Sequence, residues 1–413
     1  MIKPTLLLSV FSLTLGCSLA QAEDWPRWRG PRGDGISMET NIQDKWPADG
    51  PRKLWSHKVG IGFASPVAVE GKVYLFTLEG KSERLTCYDA QSGNVIWQQE
   101  YQGGWTAASS FPGTRATPWI ENGRIYTYGG ASDLVARNLA DGKELWRTNI
   151  FKETGVREAL TWGQASSPLI VGDLIYVQNG KGGPVAVAVN KNDGKIAWKA
   201  QAVGLGGYAQ PVLIDVEGTR QLIVFGGEIV YALNPQTGAT IWQQPWETKY
   251  EVNATTPVYR DGHLLVTSGY DSGSMMLKVG PAGATKLWEH RGSAGNKHVK
   301  SRFQGVILEG DNLYANSEGT LRCMSWPDGK IKWENRAVRL GAGGSIVKAG
   351  DKLIALGERG TLYLFKATPE GSEKISELEV AEGDRNWATP LIYNGKLYVK
   401  TIDEFICFDI KAQ

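Results

Sequence analysis

Arg115, Trp162, Gln164, Tyr208, Asn253, Arg302, Arg385 and Trp387 stand in corresponding short segments, each shortly ahead of an apolar run. Phe63, Gln210, Thr255, Lys300 and Asn386 share those segments. Cations set among aromatic rings and amides suit one kind of work, the binding of an anionic ligand. A guanidinium pairs with a carboxylate through two parallel N–H bonds and also stacks on a ring face. A small planar anion, an acidic peptide or a sugar fits such a set. No catalytic residue is assigned. Of the histidines His57, His263, His290 and His298, only the last two are close in sequence, so no metal site is expected.

What brings these segments together is a repeat. Trp97, Trp146, Trp198, Trp242, Trp288 and Trp333 recur at intervals of 44 to 52 residues, and Trp55 stands 42 before the first. A period of that size marks an array of similar supersecondary units. Each unit opens on a small residue and proline, as in Ser65-Pro66, Thr117-Pro118, Ser167-Pro168, Thr256-Pro257 and Thr389-Pro390, with Gln210-Pro211 a variant. A Val/Ile/Leu-Tyr pair follows, as in Val73-Tyr74, Ile125-Tyr126, Ile175-Tyr176 and Leu397-Tyr398. The unit ends on a glycine four residues before the tryptophan: Gly93, Gly142, Gly194 and Gly238. Units six and seven, around Phe303-Gln304 and Ser345-Ile346, lack the proline.

Between these marks lie alternating runs such as Lys72-Val73-Tyr74-Leu75-Phe76 and Gln221-Leu222-Ile223-Val224-Phe225, bounded by Gly, Asp and Asn. Period two with frequent turns predicts about four antiparallel strands per unit. One such sheet cannot cover both its faces, and eight of them stacked radially around a channel can. The chain is therefore read as all-β, an eight-bladed propeller over residues 53–413. Its last unit stops without a tryptophan strand, while Lys53-Leu54-Trp55-Ser56-His57 supplies one before the first proline step. That strand is expected to complete the blade of residues 389–410 and so remove the free edge.

Residues 23–52, with Trp25-Pro26-Arg27-Trp28-Arg29-Gly30-Pro31, show no strand alternation and are expected to lie against the outside or base of the ring. Residues 1–22 read as a signal peptide: Lys3, the apolar run Leu6 to Leu15, and Ala20-Gln21-Ala22 before the cut. A mature, soluble chain would begin at Glu23 on the exported side, the periplasm. The alternative is a lipid on Cys17, after Thr14-Leu15-Gly16. The formal charge is +2, or +1 once Lys3 is removed, without a dense basic block, so nucleic-acid binding has no compositional support. Nothing later in the chain is long and apolar enough for a transmembrane helix. Cys87, Cys323 and Cys407 fall in strand patterns and are expected to be buried thiols, with a Cys87 to Cys407 bridge as the alternative.

The repeated Asp/Asn-x-x-x-Gly-x-x-x-Trp units resemble those of the pyrroloquinoline-quinone-like eight-bladed propellers, over about residues 53 to 410. That family includes quinoprotein alcohol and glucose dehydrogenases. It also includes non-catalytic proteins, among them the propeller lipoprotein of the outer-membrane β-barrel assembly machinery. The opening Trp-Pro-Arg-Trp-Arg-Gly-Pro-Arg-Gly-Asp-Gly is similar to the start of many exported bacterial members. For the dehydrogenases the resemblance implies pyrroloquinoline quinone (PQQ) with calcium and an Asp base. Arg115 and Arg385 would then hold cofactor carboxylates, with Trp162 or Trp387 stacked on its rings. This chain lacks the adjacent cysteine pair and the long insertions of those enzymes. The reading it favours is an exported, non-catalytic scaffold without a cofactor that holds an envelope protein partner through its loops. The dehydrogenase, or a PQQ-binding relative, is the alternative.

Overall fold

Wherever a Gly- or Asn-bearing turn interrupts an alternating run, the chain reverses and pairs with itself. Lys72–Glu79, for example, runs antiparallel to Ser82–Asp89 in unbroken register from Lys72 opposite Asp89 to Glu79 opposite Ser82. The computed structural model describes residues 23–105, 111–292 and 297–412; the proposed leader, with Cys17, lies outside them. The described residues form eight four-stranded antiparallel sheets arranged as a propeller, one of which gains a fifth strand. The short first strand of each blade is the inner one, from Val67–Val69 in blade one to Leu391–Tyr393 in blade eight. The described residues include a short helix at Ile150–Thr154 and a 3-10 turn at Lys249–Glu251.

Closure follows the sequence reading. Arg52–Lys58 pairs with Glu404–Asp409 and sets Trp55 opposite Cys407. Cys87, Cys323 and Cys407 are buried free thiols, each pushed up by burial to about 11, 11 and 12.

The tryptophans join neighbouring blades. In each outer strand the ladder skips the residue just before the tryptophan position: Ile96, Leu145, Ala197, Ile241, Leu287, Lys332 and Leu54 have no partner opposite. Such a bulge adds a local kink that re-aims the next side chain. It also explains why Ile96, Leu145 and Leu287 stay exposed. The re-aimed indole N–H donates to a carbonyl of the following blade: Trp97 to Leu139, Trp146 to Lys191, Trp198 to Pro235, Trp288 to Pro327 and Trp333 to Thr368, at 2.9–3.1 Å.

Onto five of the rings comes the turn glycine of the next blade. A Cβ on Gly93, Gly142, Gly194, Gly238 or Gly329 would fall 2.6–2.7 Å from the indole of Trp55, Trp97, Trp146, Trp198 or Trp288 respectively. These glycines also have φ of 71 to 77°, which a side chain resists. The motif glycine is thus required twice, by its own backbone and by its neighbour's ring.

Three seams solve the problem differently. Blade five lacks the docking turn, and the buried Gln221 bridges instead: its Oε1 accepts from Trp242 (2.8 Å) and its Nε2 donates to Gly280 and Pro281. At the closing seam Tyr398 Oη donates to Ala90 O (3.0 Å), and His57 Nε2 meets Gly93 O at 2.8 Å. In blade seven the tryptophan position holds Ser376, opposite Leu364. Trp46 of the N-terminal extension fills in there, 3% exposed, with its backbone N–H donated to Ser376 Oγ (3.0 Å).

That extension lies in the base of the channel rather than on the outside of the ring. Trp25 exchanges backbone hydrogen bonds with Ala68 of blade one, and Pro26 O accepts from Ile120 N of blade two. Trp28 Nε1 donates to Thr256 Oγ1 of blade five (3.1 Å), and the buried Arg29 guanidinium donates to Val306 O of blade six. Ile36–Ser37 is the fifth strand of blade seven, parallel to Ser345–Ala349, and Glu39 accepts from Gly395 N of blade eight. Opposite ends of the ring are tied by one segment.

Gly142 and Gly123 allow the docking to be separated from backbone strain, since their φ values are 71° and 70° but nothing lies within 4 Å of a Cβ at Gly123. Gly123→Ala should lose only the left-handed penalty, about 1–2 kcal/mol. Gly142→Ala should lose that plus about 1–3 kcal/mol of overpacking against Trp97. Denaturant midpoints of the two variants measure the difference, and equal midpoints would show that the indole contact contributes nothing.

Candidate functional site: a mouth cavity lined by arginines and aromatic rings

The small residue before each proline acquires a purpose at the channel end opposite the extension. Ser65 N donates to Thr117 Oγ1, Thr117 N to Ser167 Oγ, and Thr389 N to Ser65 Oγ, at 2.9–3.1 Å. Side-chain hydroxyls therefore close a belt between neighbouring blades just before the inner strands begin. Gln210 extends it by donating to Pro168 O (2.9 Å), and Thr389 Oγ1 donates to Gln304 Oε1 (2.9 Å).

Above this belt opens a cavity of about 280 Å³. Arg115, Trp162, Tyr208, Arg302, Arg385 and Trp387 line it, as do Phe63 and Gln210. Phe63 and Trp387 are packed with ring centroids 4.7 Å apart, and Phe303 meets Trp387 at 4.8 Å. Phe111 bridges to Trp162 at 5.6 Å. Each arginine lies over a ring: Arg115 on Phe63 at 4.9 Å, Arg302 on Tyr270 at 4.1 Å and Arg385 on Phe111 at 4.9 Å.

Gln164 and Asn253, expected as ligand contacts, do not line the cavity. In an extended segment successive side chains point to opposite sides. Val252, Ala254 and Thr256 face the cavity, so Asn253 and Thr255 face away. Asn253 Nδ2 donates to Gly226 O and Gly227 O, and its Oδ1 accepts from Ser268. Thr255 donates to Ser301 O. Gln164 is fully buried and is not among the residues that line the cavity. Asn386 holds Glu358 O and Ile402 N, and Lys300 pairs with Asp271 and Glu318.

Other lining residues escaped the sequence reading. Tyr270 and Glu358 belong to turns between the second and third strands of blades five and seven, which reach the same face. Their signal was available, because those turns recur at the same place in every unit. Trp28 had none: it comes from the extension and forms part of the cavity wall only because that segment enters the channel.

The arginines differ in their surroundings. Arg302 pairs with Glu318 (3.2 Å) and Arg385 with Asp384 (2.9 Å). Arg115 donates to the carbonyls of Gly113 and Phe111 and has no carboxylate partner among the described residues. Burial pulls its guanidinium down to about 10, so it is still charged at neutral pH. Burial likewise raises Tyr208 above the ordinary tyrosine range.

A calcium-held quinone does not fit this donor set. Ca²⁺ takes six to eight oxygen ligands. The cavity carboxylates are Glu358, which accepts from Trp387 Nε1 (2.9 Å) and Gly343 N, and Asp384, which pairs with Arg385. Among the described residues no group of His, Cys, Asp and Glu is placed to hold a metal ion.

A family profile described as outer membrane protein assembly factor BamB matches residues 47–108 and 102–335. The chain is 23% identical to the outer membrane protein assembly factor BamB of Yersinia pestis over 88% of this chain and 99% of that one. It is 26% identical to a quinoprotein ethanol dehydrogenase of Pseudomonas aeruginosa, but over 42% of this chain and 29% of that enzyme. Among solved structures, BamB from Moraxella catarrhalis superposes with a TM-score of 0.62 at 16% identity, covering 87% of this chain and 98% of that one. The quinohemoprotein alcohol dehydrogenase from Comamonas testosteroni gives 0.65 at 13% identity, covering 94% and 81%. At these identities the structural likeness concerns the fold.

Glu83 joins blades one and two, accepting from Tyr101 Oη and from Gly130 N (2.9 Å). Burial pushes its carboxyl up to about 7, from about 4.3 in an unfolded chain. A raised pKa means that the folded state binds the proton more tightly. Its contribution is thus complete below about pH 4.3 and is lost as pH rises through about 7. Glu83→Gln should flatten the fall in melting temperature between pH 5 and pH 8 measured by calorimetry, and an unchanged slope would assign that fall to other groups.

Proposed function

The chain belongs to the family described as outer membrane protein assembly factor BamB, and on that premise we propose that it is an exported, non-catalytic scaffold for envelope-protein assembly. The observation that carries this reading is coverage. The assembly factors of Yersinia pestis and Salmonella typhimurium align over nearly their whole length, whereas the ethanol dehydrogenase of Pseudomonas aeruginosa aligns over less than a third of its own. A cavity whose carboxylates are already engaged adds to it, because calcium-dependent quinone chemistry needs free oxygen donors.

Contact with the partner is made at the mouth face. The opposite face is occupied by residues 23–50, while the mouth carries the added two-stranded ribbon Lys181–Pro184 with Val203–Leu205 and the turn Lys249–Glu251. Val203 and Tyr250 are 68% and 58% exposed there, surfaces that a docked partner would cover. The leader directs export. We assign the mature start to Glu23, with a lipid on Cys17 as the alternative that would tether the ring to a membrane surface.

Capture of the tagged full-length chain from envelope extract should recover an integral outer-membrane β-barrel protein, or a component that assembles one, in stoichiometric amount. Val203→Glu and Tyr250→Ala together should reduce that yield at least fivefold without changing the melting temperature. Recovery of no such protein, in a strain whose outer-membrane barrel content is unaffected by loss of the gene, would overturn the scaffold role. Mass spectrometry of the natural amino terminus should find Glu23, and a diacylglyceryl-modified Cys17 would replace soluble export by membrane attachment.

A further inference from the structure

We propose that the mouth cavity is a binding site for a flat aromatic monocarboxylate, with Arg115 receiving the carboxylate. This goes beyond the scaffold role, and neither depends on the other. Arg115 carries the argument. A guanidinium has more N–H donors than the carbonyls of Gly113 and Phe111 use. Arg115 lines the cavity beside Tyr208 and has no carboxylate partner among the described residues. Taking a cation out of water is costly unless an anion or hydrogen-bond acceptor replaces that water. Arg302 and Arg385, by contrast, are each paired with a carboxylate of the chain itself.

The rings define the rest of the ligand. Trp387 is packed against Phe63 and Phe303, and Trp162 lies against Phe111, so the walls are flat, apolar faces. Offset stacking or edge contact with such walls favours a planar body over a branched one. The volume of about 280 Å³ is at the small end for ligand pockets, which suits one or two fused rings. The charge is limited to one. Glu358 and Asp384 line the same cavity, so a second carboxylate on the ligand would meet negative charge without an unpaired guanidinium to offset it. The same chemistry occurs in free aromatic acids and at the carboxy-terminal aromatic residue of a polypeptide.

Calorimetric titration of the full-length mature chain decides the matter with four probes: indole-3-acetate, N-acetyltryptophan, N-acetyltryptophan amide and benzene-1,3,5-tricarboxylate. At least one of the two monoacids should bind one-to-one, and N-acetyltryptophan at least tenfold more tightly than its amide if it is the one that binds. Arg115→Met should weaken the bound acid at least tenfold, while Arg115→Lys restores part of that loss and the melting temperature reports whether each variant is folded. Tighter binding of N-acetyltryptophan than of indole-3-acetate assigns the ligand to a polypeptide end, and the reverse assigns it to a free acid. Failure of both monoacids to bind, an amide as tight as its acid, affinity that survives Arg115→Met, or tighter binding of the tricarboxylate would each overturn the proposal.

Discussion

The ring depends on one contact repeated around it, an indole of one blade covered by a backbone turn of the next. A four-stranded sheet has two faces to cover, and the propeller covers them only if neighbouring sheets approach closely. The tryptophan supplies a broad apolar plate and one N–H, and the turn supplies a carbonyl and a glycine small enough to rest on the plate. The bulge before the tryptophan is the third component, because without it the side chain would not be aimed at the seam. Where a component is missing, a different group takes its place: Gln221 between blades four and five, Trp46 at Ser376 of blade seven. The constraint is on filling and hydrogen bonding, not on residue identity.

Closure makes the N-terminal segment part of the same problem. A ring built from sequential blades has its weakest seam where the chain ends meet, and here Arg52–Lys58 pairs with Glu404–Asp409 across it. The residues ahead of that strand continue under the channel and tie blades one, two, five, six, seven and eight by backbone, tryptophan and arginine hydrogen bonds. A consequence for binding follows directly. With the base occupied, the channel is a one-ended cavity whose wall includes Trp28, so the extension shapes the site as well as the fold.

Shared architecture does not decide activity here. The BamB structure and the alcohol dehydrogenase structure superpose on this chain about equally well, so the fold alone does not separate the two roles. In this chain the mouth presents rings and arginines with engaged carboxylates, an arrangement suited to holding a ligand or partner rather than to a calcium-bound cofactor.

By itself the sequence determined the blade number, the strand count, the closing strand at Trp55 and the face on which the cavity opens. Each of these is a local pattern repeated many times, and a period survives the loss of a proline in units six and seven. It also made Arg115, Trp162, Tyr208, Arg302, Arg385 and Trp387 legible as neighbours, because equivalent places in a ring are close in space. It did not separate them from Gln164 and Asn253. That distinction rests on which side of an extended segment faces inward, a two-residue alternation whose phase is set by the packing of the adjacent blade. Only the tertiary structure decided the course of residues 23–50 and the placing of Trp28 and Trp46, since those contacts occur once and join residues more than 200 positions apart. The carboxylate partners of Arg302 and Arg385, and the lack of one at Arg115, likewise depend on side chains that sequence spacing does not bring together.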